Sequence, residues 1–376
     1  MIKAVLYSQM KYKIDSNLKK PAYLQLYEEI KKDIINGSIP FGSKLPSKRI
    51  LSEETGLSVI TVEHAYSLLC DEGYVESRER SGYFSVYRAE ESFVQSDNSS
   101  YDTPITTDSK VYVRQDFPFS VISKTMRKIL SDYQEKIMVK SPNKGCIELR
   151  MAISKYLERS RGIIASPEEI IIGSGAEYLY GLITEMMPED SVYGIENPSY
   201  EKIEQVYLSR GVKYEMLSLG SEGIKSRDLL NTKANILHLT PFRSFPSGVT
   251  ATASKRREYI SWLKSDGRRC IIEDDFESEF TLSKKPEDTL YSLSNGENVI
   301  YLNTFSITIS PSIRTGYMVL PKKLLSLFEE KVGFYSCTVP TFEQYVLAEM
   351  IQSGEFERHI NRVRRKKRKE IAENNG

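Results

Sequence analysis

Apolar and charged residues near the start of the chain repeat with the spacing of a helix. One face is outlined by apolar side chains at intervals of three and four residues: Tyr23, Leu26, Tyr27, Ile30 and Ile34. Charged residues fill the positions between them, so the pattern predicts an amphipathic helix over residues 22–36. Gly37 is a suitable stop, because glycine readily adopts the left-handed backbone that ends helices.

The next fifty residues predict two capped helices and a hairpin. Serine caps and glycine stops bound helices over residues 47–55 and 58–71. Two short strand candidates follow, at 74–77 and 83–87, and the sequence RERSG joins them. Three helices followed by a hairpin are typical of a winged helix-turn-helix, with Val62, Ala65 and Leu69 in its core.

From about residue 112 the pattern changes to short apolar runs separated by helical stretches. The runs that suit buried strands are Ile170–Ile172, Val192–Ile195, Ile236–Leu239, Cys270–Ile272, Val299–Leu302 and Tyr317–Leu320. Helical patterns lie between several of them, for example at 177–187 and 253–263. This alternation predicts an α/β domain with a largely parallel sheet.

A polar stretch separates the two patterns. Eleven of the fourteen residues from 96 to 109 are Ser, Thr, Asp or Asn, a composition typical of linkers. We therefore predict a first domain over 14–87, a linker over 88–113 and a second domain over 114–376. A chain of 376 residues has room for both domains.

Composition narrows the function classes only slightly. The 52 basic residues balance 51 acidic ones, so any nucleic-acid binding must come from a local patch. Four cysteines lie far apart without metal-ligand spacing: Cys70, Cys146, Cys270 and Cys337. This favours reduced thiols in a cytoplasmic protein without a metal site. No apolar run approaches the ~20 residues of a membrane span, and the N-terminus lacks a secretory signal.

Three ordered motifs identify the first domain. LPSKR starts the second helix, TVEHAY lies in the third, and GYVESRERSGY forms the hairpin. The segment from Tyr23 to Tyr87 thereby resembles the GntR family of bacterial regulators. The resemblance implies a DNA-binding module whose third helix enters the major groove.

Side chains at the start of that helix are expected to contact DNA. The predicted base contacts are Ser58, Ile60, Thr61 and His64. The serine and threonine can bond base edges or phosphates, and a histidine here is more often a surface or packing residue than a base contact. Arg49, in the helix capped by Ser47, is the best candidate for a bidentate guanine contact. The predicted phosphate contacts are Lys44, Lys48, Arg78 and Arg80. Gly82 lets the wing turn close to the DNA backbone.

The second domain contains six segments in a characteristic order. They are GCIELRMAISKYLERSRGI (145–163), IIIGSGAEYLYGLI, ENPSY, TPFRSFPSG, IIEDDFESEF and YLNTFSITISPSIRTGY. This order resembles the fold-type I aminotransferase domain of MocR/GabR-type regulators. The resemblance implies a vestigial cofactor site at Ser174, Gly175, Ala176, Tyr200, Asp274, Thr304 and Arg314. Phosphate would lie at the helix start and Arg314, and the pyridine nitrogen at Asp274.

The lysine that forms the imine with pyridoxal phosphate is absent. The family's Ser-Lys-Thr is Ser-Ile-Thr here, with Ile307 at the place of the lysine, and we expect that position to be buried in the site. The family's tyrosine and histidine in the same site are Phe276 and Arg243. The nearest lysines along the chain, Lys285 and Lys322, lie outside the motif. We therefore expect no catalytic residue and, at most, non-covalent binding of pyridoxal phosphate.

The family also has a small C-terminal subdomain after a long helix. This sequence starts the corresponding helix pair at residue 341 and ends, so the aminotransferase-like fold is expected to be incomplete. Seven of the eight residues from 362 to 369 are basic. They are either the solvated face of a terminal helix or a nonspecific phosphate patch.

Together these patterns predict a sequence-specific transcriptional regulator that binds a double-stranded DNA operator as a homodimer. Its second domain is expected to sense a small-molecule effector or to mediate dimerisation, without catalysis. The alternatives are a pyridoxal-phosphate-dependent enzyme, a DNA-binding protein with a purely structural second domain, and a truncated, poorly folded product. No membrane partner is expected.

Overall fold

The computed structural model describes residues 12, 14, 15, 18, 20–88, 117–282 and 287–374. They belong to two compact units, which divide the chain at Asp108 and Ser109. The predicted linker lies outside the described residues except for its first residue, Arg88. The predicted domain boundaries therefore stay a prediction.

The first unit has the predicted three helices and hairpin. Its elements are α1 (Ala22–Ile35), α2 (Lys48–Thr55), α3 (Val59–Asp71), β1 (Val75–Arg78) and β2 (Gly82–Ser85). The Ser47 side chain accepts a hydrogen bond from the Ile50 amide at 3.3 Å, and Ser58 caps α3 in the same way. These caps satisfy amides that the first turn leaves unpaired, which explains why both helices begin where predicted.

The hairpin forms a wing that also holds the segment before α2. Strands β1 and β2 are antiparallel. The Leu45 amide donates to the Tyr83 carbonyl at 2.8 Å, and the Ser85 amide donates to Ser43 at 2.9 Å. Beneath the wing, the predicted core residues Val62, Ala65 and Leu69 are fully buried, which confirms the helical pattern. The first unit is thus a winged helix-turn-helix.

The second unit is built on one mixed sheet. Its strands are β3 (Ile170–Gly173), β4 (Val192–Asn197), β5 (Lys213–Gly220), β6 (Gly223–Ile224), β7 (Ile236–Leu239), β8 (Cys270–Asp274), β9 (Val299–Thr304) and β10 (Gly316–Val319). Their order across the sheet is β3-β10-β9-β8-β7-β4-β5-β6. The run from β9 to β5 is parallel, whereas β10 and β6 are antiparallel to their neighbours. The predicted, largely parallel α/β architecture is confirmed.

Helices cover both faces of this sheet. They are α4 (Phe119–Tyr133), α5 (Ile147–Arg161), α6 (Ala176–Met186), α7 (Glu201–Ser209), α8 (Ser226–Asn231), α9 (Ala253–Lys264), α10 (Leu290–Leu293), α11 (Phe305–Thr308), α12 (Lys322–Lys331), α13 (Thr341–Gln352) and α14 (Glu355–Asn374). Consecutive residues of β8 belong to opposite cores: Ile271 faces α5, α9 and α13, and Ile272 faces α6, α7 and α12. The central strands are buried on both faces of the sheet, which explains why their sequences are continuous apolar runs.

The sequence pattern did not predict β5 or β6. Strand β5 lies near the sheet's edge, and most of its side chains are only partly buried. Its sequence, KYEMLSLG, therefore lacks a continuous apolar run. Among the residues with described structure, no helix has both the length and the apolar character required to cross a membrane.

Candidate functional site

Five solvent-exposed residues form a continuous stripe along one side of α3, which we call the exposed stripe. Every side chain of the stripe is accessible to solvent: Val59, Ile60, Glu63, His64 and Ser67. Ile60 is 66% exposed. Val59 beside it is 41% exposed, and two neighbouring apolar side chains in contact with solvent suit contact with another molecule. The stripe includes two of the predicted base contacts, and Glu63 was not foreseen.

The predicted base contacts other than Ile60 differ in the contacts that they make within the protein. Arg49 is exposed in the first turn of α2, and it forms no hydrogen bond or ion pair with any residue that the structure describes. Ser58 and Thr61 are linked to each other, since their hydroxyl oxygens lie 2.8 Å apart. The His64 ring packs edge-on against Tyr23, with 5.8 Å between ring centroids. Arg49 is therefore the side chain that is most available to a partner.

An ion pair joins the two helices of the helix-turn-helix. Lys48 Nζ lies 2.6 Å from Glu63 Oε1. The hydrogen bond raises the pKa of Lys48 and lowers the pKa of Glu63, so both groups are charged at neutral pH. Lys48, predicted to bind phosphate, already has an acidic partner on the exposed stripe.

The wing carries basic side chains around one aromatic ring. The Arg78 guanidinium lies 4.6 Å from the centre of the Phe84 ring, and Lys44 Nζ lies 6.0 Å from it. Arg78 also bonds Glu76 at 2.8 Å. Cation–π contacts of this kind hold the basic groups in place on the surface.

Two residues at the tip of the wing have left-handed backbone. Arg80 has φ 58° and an exposed side chain. Gly82 has φ 102°, and a Cβ atom there would lie 3.2 Å from Lys44 Cε. Glycine at this position therefore allows both the turn and the close approach of the lysine stem.

In the second unit, residues at the carboxyl ends of β7 and β8 meet residues of α6 and α7. The resemblance places the cofactor cleft at these strand ends, and we call this region the cleft. Asp274 ends β8 and is buried there; its Oδ2 accepts a hydrogen bond from Tyr180. His238 Nε2 lies 3.8 Å from the same oxygen, while His238 Nδ1 and the Tyr207 hydroxyl are 2.7 Å apart. Sequence patterns did not identify Tyr180, His238 or Tyr207, because these contacts join strands and helices that are distant along the chain.

A glycine and an arginine meet at the mouth of this cleft. Gly175 precedes α6 with φ 94°, and a Cβ atom there would lie 3.3 Å from Arg314 Nη2. The same nitrogen bonds Glu177 Oε2 at 2.6 Å, and the Ser174 amide donates to Thr338 at 3.1 Å. Ala176 is the first residue of α6, so the predicted phosphate residues lie together, and the acidic group beside them, Glu177, was not predicted from the sequence.

The remaining predicted cofactor residues take different roles. Tyr200 precedes α7 and is partly exposed, and its ring packs edge-on against Phe245 with 6.1 Å between ring centroids. Burial and the neighbouring Glu177 raise the pKa of Tyr200. Thr304 caps α11, accepting from the Ser306 amide and donating to the Thr315 carbonyl. Its hydroxyl is therefore engaged within the protein.

Residue 307 and its surroundings differ from the expectation. Ile307 is 39% exposed, so the position that we expected to be buried is open to solvent, because α11 is a single turn between Thr304 and the loop that follows. Arg243 pairs with Glu277 at 3.2 Å, and Phe276 is partly buried. Lys322 is exposed at the start of α12, whereas Lys285 lies outside the described residues.

The cleft can be tested for its fit to pyridoxal phosphate, which supplies a carbonyl electrophile and an electron-accepting ring when bound. Gly175 and Arg314 fit an anionic group, since glycine permits close approach and the guanidinium carries charge. Ile307 offers no amine for covalent attachment. Asp274 already accepts from Tyr180. The residues therefore fit an anion and do not fit covalent attachment at position 307.

A second buried carboxyl lies close to the cleft. Glu196 Oε2 accepts a hydrogen bond from the Ser244 hydroxyl at 2.6 Å, and burial raises the pKa of Glu196 to about 8. A folded pKa above the usual carboxyl value means that the folded state holds the proton more tightly. The resulting stabilisation is complete at acidic pH and is lost as the pH rises through about 8.

We expect Glu196→Gln to remove this pH dependence. Glutamine keeps an oxygen acceptor for Ser244 without becoming charged, so the variant should exceed the wild type in stability at pH 9 by roughly 1–3 kcal/mol. Urea unfolding at pH 5.5 and pH 9, followed by Trp262 fluorescence, measures the difference. Glu330→Gln, on the exposed side of α12, is the matched control and should change neither value. An equal effect at both pH values would contradict the assignment.

Two known families match the chain, one in each of its two units. Residues 22–84 match the family described as bacterial regulatory proteins, gntR family, and residues 111–374 match aminotransferase class I and II. The chain is 34% identical over 370 residues to the HTH-type transcriptional regulator YdeL of Bacillus subtilis, covering 96% of this chain and 79% of that protein. It is 27% identical to the probable rhizopine catabolism regulatory protein MocR of Rhizobium meliloti, covering 94% and 76%.

Similar solved structures include several aminotransferases. The kynurenine aminotransferase of Pyrococcus horikoshii superposes with a TM-score of 0.61 at 27% identity, covering 66% of this chain and 64% of that one. LysN, the alpha-aminoadipate aminotransferase of Thermus thermophilus, superposes with a TM-score of 0.60 at 25% sequence identity. The match covers 67% of this chain and 65% of that one. The chain thus spans just under two thirds of the length of these structures. The second unit has the aminotransferase fold.

Proposed function

The chain belongs to the MocR/GabR-type subfamily of GntR transcriptional regulators, and from this premise we propose that it binds an operator in double-stranded DNA through Arg49 and the exposed stripe of α3. The observation that carries the proposal is the availability of Arg49, an exposed guanidinium without a partner among the described residues. A guanidinium free to form a bidentate pair matches the major-groove edge of guanine. Such a regulator acts in the cytoplasm.

The wing supports the same interface. Lys44 and Arg78 lie against Phe84, and Arg80 is exposed at the tip of the wing. Positive groups at fixed positions suit phosphate contacts, which set the orientation of the protein on the duplex. Ile60 adds an exposed apolar side chain that fits a thymine methyl group.

Arg49→Ala is expected to weaken operator binding by about 1–3 kcal/mol, because it removes a bidentate base contact. The variant should lose discrimination at one base position in each half-site, and it should bind unrelated duplexes almost as before. Fluorescence anisotropy with operator and scrambled duplexes at fixed salt measures both values. Lys32→Ala removes one exposed positive charge from α1 and is the matched control. Unchanged operator affinity in Arg49→Ala would place the reading surface elsewhere.

For the second unit we propose a non-catalytic sensor of an anionic small molecule. Gly175 and Arg314 offer the anion site, and Ile307 lacks the amine that the related chemistry requires. A ligand phosphate or carboxylate would compete with Glu177 for Arg314, which links occupancy of the cleft to a change in an existing ion pair. Pyridoxal phosphate bound without a covalent bond is one candidate. Calorimetric titration with pyridoxal phosphate and with inorganic phosphate tests the proposal.

We further propose that the protein is a homodimer. Two-fold symmetric proteins recognise two half-sites, and this matches a winged helix unit that carries one recognition helix. Sedimentation velocity at micromolar concentration should give twice the chain mass of 43.1 kDa. A species of the single-chain mass at that concentration would contradict the proposal.

A further inference from the structure

An acidic side chain lies among the residues proposed to read bases. Glu63 is exposed on α3, one helical turn from Ile60 and next to His64. DNA is densely negative, so a carboxylate on the surface that approaches it lowers affinity unless a specific contact compensates. Glu63 is the acidic member of the exposed stripe, and its partner Lys48 comes from the neighbouring helix.

The ion pair is not what holds the two helices together. Both side chains are at least one-third exposed, and exposed ion pairs add little to stability. The helices are joined instead by the buried side chains of Leu51, Val62 and Tyr66. The position of Glu63 is therefore better explained by contact with a partner than by packing.

The ion pair with Glu63 also limits how Lys48 can bind a DNA phosphate. A lysine held by a carboxylate 2.6 Å away must leave that partner or share its charge with it before it can bind a phosphate. Release of counterions from DNA depends on the phosphates that the protein neutralises. The role in phosphate binding that the sequence suggests for Lys48 is thus at odds with its partner.

Base edges in the major groove offer few donors to a carboxylate. Guanine presents two acceptors and thymine presents an acceptor and a methyl group, so both repel a charged oxygen. Adenine presents a donor beside an acceptor, and cytosine presents its N4 amino group alone. Cytosine is therefore the base that a carboxylate at this position favours.

Building on the proposed DNA-binding function, we propose that Glu63 is a specificity-determining residue that selects a cytosine in the operator. Lys48 is then a positioning residue that fixes the orientation of the carboxylate. The ligand of this site is a cytosine edge in duplex DNA.

The test is selection of duplexes from a randomised library by the full chain, followed by anisotropy titrations of the selected sequences. The wild type should enrich a motif with one cytosine whose replacement weakens binding roughly 5- to 150-fold. Glu63→Ala should lose the preference at that position only. Glu63→Gln should shift it towards adenine, because glutamine pairs with the adenine edge. Glu29→Gln, an exposed carboxylate on α1, should leave the motif unchanged.

Lys48→Ala distinguishes a positioning residue from a phosphate contact. We expect the cytosine preference to weaken while the slope of log affinity against log salt stays the same. A slope reduced by about one with an unchanged motif would identify a phosphate contact and overturn the role of Lys48. Melting curves of each variant confirm that the unit is folded.

The Glu63 variants distinguish failure of the cytosine assignment from failure of the proposed DNA-binding function. If Glu63→Ala and Glu63→Gln enrich the wild-type motif, the cytosine assignment is wrong while the DNA-binding function stands. If the wild type enriches no motif, the proposed operator recognition fails and the role of Glu63 fails with it.

Discussion

Arg161→Met should lower the free energy of unfolding of the second unit by about 3–5 kcal/mol, as expected when one partner of a buried ion pair is removed. Arg161 Nη2 lies 2.8 Å from Asp275 Oδ2, and both side chains are almost completely buried. The Tyr301 hydroxyl donates to the same carboxylate oxygen at 2.8 Å. Methionine fills much of the space, but it leaves the Asp275 charge without a cation.

Neighbouring carboxyls make this loss larger at high pH. Burial and the charge of Asp275 raise the pKa of Glu273 and of Glu279 to about 7 each. Without Arg161, more negative charge must be accommodated as these groups ionise. At pH 5 protons neutralise part of the cluster, so the variant should lose less stability there than at pH 8.

Urea unfolding followed by fluorescence provides the measurement. Trp262 is the single tryptophan of the chain and is buried in α9, so its signal reports the second unit. Arg159→Met breaks a surface pair with Glu357 and is the matched control, with an expected loss below about 1 kcal/mol. The double variant Arg161→Met/Asp275→Asn should recover part of the loss. Equal stability of Arg161→Met and wild type would show that the pair is dispensable.

Ile307→Lys should convert non-covalent binding of pyridoxal phosphate into covalent binding. The wild-type side chain has no nucleophile, whereas a lysine at 307 would place an amine beside a cleft that already holds Asp274, Gly175 and Arg314. Because Ile307 is 39% exposed, the new ammonium need not be buried, and we expect only a small change in stability. Borohydride reduction and peptide mass spectrometry should locate an adduct at residue 307.

A lysine introduced at another position of similar exposure is the control. It shows how much adduct forms through the general reactivity of exposed amines. Leu293 is 37% exposed at the end of α10, and Leu293→Lys is the control. The adduct at 307 should form roughly tenfold faster or more, because a bound and oriented carbonyl reacts faster than one in solution. Equal rates at both positions would show that the cleft does not hold the ligand. A wild-type adduct on a lysine lining the cleft would contradict the non-catalytic proposal.

The elements that the sequence predicts correctly are those set by local chemistry. Ser47 and Ser58 cap their helices through backbone amides three residues away, so the signal and its effect lie in the same short segment. The apolar run of Ile236–Leu239 is buried on both faces of the sheet, which makes it visible as a pattern. Strand β5 is near the edge and partly exposed, and its pattern is correspondingly weak.

The polar and charged contacts of the two candidate sites could not be predicted from local sequence patterns. Arg314 meets Glu177, and Asp274 meets Tyr180, across more than ninety residues of chain. Each partner is an ordinary residue in its own segment, and proximity arises only when β8, β10 and α6 assemble. The same holds for Lys48 and Glu63, whose pairing depends on how two short helices cross.

The position of β3 in the sheet has a consequence for synthesis of the protein. This strand hydrogen-bonds to β10, which is made about 140 residues later. At roughly 5–20 residues per second, β3 waits about seven to thirty seconds for its partner to be translated. The winged helix unit has its own core within the first ninety residues and is complete well before that. A ribosome that stops within the second unit would therefore leave a chain whose winged helix core is complete but whose sheet lacks the strand that pairs with β3.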